Sequence, residues 1–154
     1  MIDGVQIIDL PVLMDDRGYL FEIARATGGP EPHAVIHQFG QVYLVGDPVR
    51  GAIRAFHKHA ELWDWFCIVH GAAKFVLRDD RQDSPTYQEM MEIVVGDRRP
   101  RLIVVPPGVY HGWMSLTDDV LMVSTASHPY NREHPDEVRI PPDSFGDVWT
   151  VKGR

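Results

Sequence analysis

The residues of this 154-residue chain that could do chemistry gather in two short stretches. The first is Gly51-Ala-Ile-Arg-Ala-Phe-His57-Lys-His59-Ala-Glu-Leu-Trp-Asp64-Trp-Phe-Cys-Ile-Val-His-Gly71, and the second is Val105-Pro-Pro-Gly-Val-Tyr-His111-Gly-Trp113. Side chains alternate between the two faces of a strand, so a strand through His57 and His59 aims both rings the same way. Asp64 on the next pass can converge on them, and so can His111 after a turn fixed by proline and glycine. Three imidazoles and one carboxylate suit two chemistries. One is ligation of a divalent ion such as Zn, Fe, Mn or Ni by His57, His59, Asp64 and His111. The other is metal-free proton transfer, because imidazole titrates near neutrality. Cys67, His33, His37, His70 and His134 have no such company and read as structural: Cys67 as a small hydrophobe, His70 as a strand end before Gly71.

Bringing these groups together requires a sheet that curls on itself, and the rest of the chain supplies one. Its 13 glycines and 12 prolines fall at short intervals. Between them lie runs rich in Val, Ile, Phe, Tyr and Trp, at 4–13, 19–23, 35–45, 52–57, 63–69, 72–77, 87–95, 101–105, 110–114 and 120–125. This predicts an all-β antiparallel sandwich or barrel. Period-two alternation is loose, so run length and punctuation carry the assignment. No segment keeps an apolar 3.6-residue period over three turns. Short helical turns are expected at most at Glu89–Glu92, where a strand over Glu92–Val95 reads better, and at Pro142–Phe145. From Asn131 onward the composition shifts to Pro, Asp, Glu and Arg, which reads as a tail wrapping the surface or a partner. The chain is therefore read as one domain over 1–154, with a core at about 35–128 and an extended, irregular tail at 129–154.

Composition excludes several classes. At 44% hydrophobic and 24% charged the chain has the make-up of a soluble globular domain. No run approaches the ~18 apolar residues that span a bilayer. The acidic N-terminal stretch is unlike a signal peptide. A single cysteine excludes an internal disulfide and points to a reducing cytoplasm. A net charge of −7 argues against a nucleic-acid binder, whose affinity comes from neutralising phosphates. An anionic small ligand remains compatible, since Arg17, Arg54, Arg78, Arg81, Arg98, Arg99 and Arg101 could focus positive charge locally.

The histidine stretches resemble the two motifs of the cupins. Gly51, His57, His59, Asp64 and Gly71 are similar to G-x5-H-x-H-x4-E-x6-G, with Asp64 in the glutamate slot. Pro106, Gly108 and His111 resemble P-x-G-x2-H, with Pro100 and Ser115 departing at the motif's two ends. The resemblance implies a double-stranded β-helix, or jelly-roll, barrel.

Further islands resemble the dTDP-4-dehydrorhamnose 3,5-epimerase family of cupins. Asp16-Arg17-Gly18-Tyr19-Leu20-Phe21-Glu22 is similar to D-x-R-G-x-F-x-E, and Arg54-Ala-Phe-His57 to R-G-L-H. Asp80-Arg81-Gln-Asp-Ser84-Pro85-Thr86 is similar to D-x-R-x-x-S-P-T, and Pro106-Pro107-Gly108-Val-Tyr-His111-Gly112 to P-P-G-F-A-H-G. Ser127-His-Pro129-Tyr130 followed by Glu133 resembles the segment carrying the family's tyrosine acid.

This resemblance implies a 4-keto-6-deoxy sugar nucleotide as substrate and no redox cofactor. It implies His57 as general base, Tyr130 as general acid, and Arg17 and Arg54 on the diphosphate. Phe21 would stack on the base, and His59 and His111 would complete the binding shell. It further implies a homodimer exchanging N-terminal strands, in which Arg17 and Glu22 serve the partner's site. Three departures stand against the family pattern. Asp64 occupies the family's lysine position, leaving Lys58 or Lys74 to supply an enolate-stabilising cation. Residues 148–154 lack the L-S-x-K-D segment whose aspartate orients the catalytic histidine, so Asp64 or Asp147 is expected to substitute. His59 stands where the family has no histidine. The competing readings are a metal-dependent cupin enzyme, a non-catalytic sugar-nucleotide-binding cupin, and a 3,4-ketoisomerase on the same barrel.

Overall fold

The computed structural model describes residues 1–26 and 36–153; His33 lies outside them. Twelve strands form in chain order among these residues: β1 (Gln6–Asp9), β2 (Leu13–Asp15), β3 (Gly18–Leu20), β4 (Gln41–Asp47), β5 (Ile53–Lys58), β6 (Asp64–His70), β7 (Ala72–Asp79), β8 (Met90–Gly96), β9 (Arg101–Val105), β10 (Val109–Ser115), β11 (Val120–Ala126) and β12 (Val138–Arg139). Each of the ten apolar runs holds at least part of a strand. All pairings are antiparallel. One sheet runs β1-β9-β6-β11-β4, the other β12-β5-β10-β7-β8, and β2-β3 form a separate hairpin. The two five-stranded sheets face each other as a jelly roll, which is the cupin barrel the motifs implied. No helix among the described residues is long and apolar enough to cross a membrane.

The loose alternation has a physical cause. Between the sheets lies a core built on Phe66, Ile68, Phe75, Leu77, Ile103 and Trp113. The outer face of β6 and β9 is buried as well: Trp65, Cys67, Leu102 and Val104 pack under Leu10, Phe21 and Ile23 of the N-terminal segment. On the other sheet, Phe56, Val76 and Tyr110 pack under Phe145, Val148 and Trp149 of the C-terminal segment. Strands covered on both faces read as near-continuous apolar runs.

The C-terminal segment wraps the barrel surface as expected, and apart from one short strand it is irregular. Residues 138–139 add a strand to β5, pairing Val138 with Lys58 and Arg139 with His57. Past them the chain forms turns, with Ser144 donating to the Pro141 carbonyl and Gly146 to that of Asp143. Neither Pro142–Phe145 nor Glu89–Glu92 is helical. The Ser-Pro-Thr island is a turn lock whose hub is Asp79 rather than Asp80. Buried Asp79 accepts hydrogen bonds from Arg81 Nε (2.8 Å), Ser84 Oγ (2.6 Å) and Thr86 Oγ1 (2.7 Å).

Candidate active site

The inner faces of β5, β6 and β10 meet at one mouth of the barrel. His57 sits on β5 and pairs across the sheet with His111 on β10. From there to the pair Trp113–Arg54, β10 advances two residues while β5 retreats three, so β5 carries a bulge opposite Gly112. Such irregularities re-aim side chains beside active sites. Only glycine fits there: a Cβ on Gly112 would lie 2.4 Å from the Ala55 Cβ and 2.9 Å from the Arg54 carbonyl oxygen.

These strands open onto a cavity of about 950 Å³, at the upper end of the range for small-molecule sites. Its floor is apolar, formed by Phe66, Trp113 and Met122. His57, His59, Asp64 and His111 form its reactive wall, and Arg54 and Tyr130 line it too. The four motif residues do share one site, as their spacing required.

Within that wall the groups divide into two sets. His57 Nδ1 is hydrogen-bonded to the Glu137 carboxylate. Asp64 Oδ2 instead lies 3.3 Å from His59 Nε2 and 3.6 Å from His111 Nε2. Asp64 therefore does not orient His57; Glu137 does, from the segment entering β12. Asp147 is not the substitute either, since it turns away to accept from Thr150 Oγ1 at 2.6 Å.

A carboxylate only accepts, so Nδ1 of His57 carries a proton, which leaves Nε2 as the acceptor atom in the neutral ring. Burial works against the charge of Glu137, but hydrogen bonds from His57 and Arg139 outweigh it and hold the carboxyl below the usual glutamate range. Asp136 is tied just as firmly. Its carboxylate accepts from the backbone N–H groups of Ala60 (2.7 Å), Glu61 (2.9 Å) and Leu62 (2.9 Å), and its carbonyl accepts from His59 Nδ1.

Deeper in, burial dominates. It pushes the Asp64 carboxyl well above its usual value, with the charges of Glu137 and Asp136 adding to the effect. Burial, with His59 adjacent, pushes His111 down to about 3. Cys67, pushed up to about 11 by burial alone, packs as the small hydrophobe expected of it.

Other residues singled out in the sequence lie elsewhere. Lys58 projects from the opposite face of β5 onto Asp80 (2.5 Å) and the Tyr110 ring. Lys74 is buried under the C-terminal segment, paired with Glu92 at 2.7 Å. Neither lines the cavity. Arg17 sits in the β2–β3 hairpin paired with Asp15, Glu22 pairs with Arg25, and Phe21 packs on the outer face of β6. None of the three lines this chain's own cavity. Of the clustered arginines only Arg54 does, held by Asp47 at 2.7 Å. His134 lines the rim rather than being buried, while His37 packs edge-on against Trp63.

The site residues that sequence reasoning missed are Asp136, Glu137 and Arg139. The alternation Glu137-Val-Arg139-Ile was their one signal, set in a proline-rich stretch that reads as tail.

Comparison with known proteins places this geometry. The dTDP-4-dehydrorhamnose 3,5-epimerase family profile matches residues 1–152. The spore coat polysaccharide biosynthesis protein SpsL of Bacillus subtilis is 34% identical, with all of both chains covered. The probable low-salt glycan biosynthesis epimerase Agl13 of Haloferax volcanii is 32% identical, covering 92% of this chain and 89% of its own. The solved dTDP-4-dehydrorhamnose 3,5-epimerase of Bacillus anthracis, with TDP and PPi bound, superimposes with a TM-score of 0.82 at 20% identity, over 97% of this chain and 87% of that one. A profile match across nearly every residue, joined to relatives above 30% identity over most of both chains, means that the chain belongs to the dTDP-4-dehydrorhamnose 3,5-epimerase family.

Proposed function

We propose that the protein is a nucleotide-sugar epimerase that inverts a carbon next to the ketone of a 4-keto-6-deoxy sugar nucleotide. The observation that carries this reading is the His57 ring, anchored at Nδ1 by Glu137, in a cavity that Tyr130 also lines. The ketone acidifies the adjacent C–H bonds. His57 Nε2 takes the proton, the electrons pass to the carbonyl oxygen as an enolate, and the Tyr130 phenol returns a proton from the opposite face. Glu137 holds the imidazole in its basic tautomer and stabilises the imidazolium that forms. Oxidation state does not change, so no redox cofactor is required. Arg54 and Arg139 bring positive charge to the cavity rim, which suits the diphosphate.

The same reading extends to a homodimer working in the cytoplasm. The β2–β3 hairpin pairs with no other described strand and exposes Leu13, Met14, Tyr19 and Leu20. A lone hairpin is marginal in water. Laid on a second copy, it would carry Arg17 and Glu22 toward that copy's cavity. The single cysteine, buried in the core, suits a reducing compartment.

The test is proton exchange. With a 4-keto-6-deoxy sugar nucleotide in D2O, deuterium should enter beside the ketone, and the number of atoms gained counts the centres inverted. His57→Asn should abolish incorporation. Exchange undiminished in that variant, or absent from the wild-type protein, would remove the proposal.

A further inference from the structure

We propose that His59, Asp64 and His111 form a binding site for one divalent transition-metal cation. Each offers a ligand atom, and these atoms all lie within 4.8 Å of one another. Ligands about 2.0–2.2 Å from a common ion stand roughly 3.0–3.5 Å apart. The two Nε2-to-Oδ2 separations here are 3.3 and 3.6 Å.

The tautomers point the same way. His59 Nδ1 is bonded to the Asp136 carbonyl, and His111 Nδ1 to that of Val109 at 3.2 Å. A carbonyl only accepts, so both Nδ1 atoms carry the proton and both Nε2 atoms turn a lone pair toward Asp64. Metal-binding histidines are oriented by such carbonyl bonds. Asp64 is 2% exposed, and among the described residues no lysine or arginine lies within ion-pair distance of it, so no fixed cation competes for the place between the three ligand atoms. Two imidazoles and one carboxylate on one side of an ion, with the other side open to a cavity, suit divalent first-row metals.

This set differs from the four-residue cage the spacing suggested. His57 is drawn off by Glu137 and stays outside it. Bound there, an ion would offer Lewis-acid stabilisation to an oxyanion held beside His57. The site does not depend on the epimerase reading, because occupancy is measured without substrate.

Chelator-stripped protein is titrated with Co²⁺, followed by its visible absorption bands, and with Zn²⁺ by calorimetry. One ion per chain should bind, and Asp64→Asn should weaken binding at least tenfold. His59→Gln, at the less buried end of the trio, should do the same and guards against a misfolded Asp64 variant. Circular dichroism establishes that both are folded. No saturable binding by about 1 mM Co²⁺, or binding unchanged in both folded variants, would overturn the site. Deuterium exchange on the stripped protein is scored separately, so either conclusion can fail alone.

Discussion

Replacing Glu137 with glutamine probes the contact on which the proposed role of His57 as base depends. Gln keeps the shape of the side chain but removes its charge. With charge centres about 4 Å apart and an effective dielectric near 20, a carboxylate favours an imidazolium by about 4 kcal/mol. The His57 and Glu137 side chains are 28% and 17% exposed, so water screens part of this. About 2–3 kcal/mol should survive, equivalent to a fall in kcat of about 30- to 150-fold. If the amide instead presents its N–H₂ to Nδ1, the ring protonates at Nε2, the base is lost and the fall is larger. Steady-state epimerisation and deuterium exchange should decline together, with KM moving less than about threefold, because the contact acts on the base rather than the substrate. Glu137→Asp, charged but one methylene short, should fall between. A Glu137→Gln enzyme within threefold of the wild-type kcat would refute the assignment of Glu137 as the orienting carboxylate.

Tyr130→Phe should separate the two half-reactions. The side chain is 61% exposed, so stability should hold, and deuterium should still exchange at the substrate carbon while epimer formation falls by ~10²-fold or more. Equal loss of both signals would deny it the acid role. Gly112→Ala should push β5 away from β10 at the bulge and cost about 1–3 kcal/mol in urea unfolding, with activity lost beyond that share as His57 is displaced. Asp79→Asn should destabilise by about 2–4 kcal/mol by breaking a buried ionic network. Its pH dependence has a definite sign. Burial opposes the Asp79 charge, but Arg81, Ser84 and Thr86 outweigh it and hold the carboxyl below its usual value. Its stabilisation is thus complete above about pH 5 and lost as pH falls through the folded pKa. The gap between wild type and variant, from urea titrations between pH 6 and 2, should therefore be flat at first and close toward the acid end.

The barrel was legible because it is written in local terms. Gly and Pro mark the turns, β-branched and aromatic residues fill the runs, and His-x-His fixes two rings on one face. What those terms cannot express is a contact made 80 positions away. Asp64 and Glu137 are both acids lining the cavity with His57, yet only the register of Arg139 against His57 decides which one reaches Nδ1. The lysines were ambiguous for a related reason. Lys58 follows His57 in sequence, but strand alternation turns it outward. Lys74 lies on the doubly buried β7, where its face follows from what the C-terminal segment covers.

The C-terminal segment joins stability to chemistry. Phe145, Val148 and Trp149 fasten it to the back of the sheet that carries His57. Two-residue pairing through β12 then sets its register, and Asp136 clamps the turn after His59 with three backbone hydrogen bonds. Adjacent residues thereby do different work. Asp136 fixes where the chain lies, and Glu137, held by that placement, fixes the tautomer of His57. A carboxylate on a loosely attached segment would spend much of its time solvated and lend His57 little. Burying an apolar anchor a few residues further on keeps the acid in place without crowding the cavity. The barrel mouth can thus divide its acids between two tasks, one steering His57 and the other, Asp64, facing the pair of imidazoles beside it.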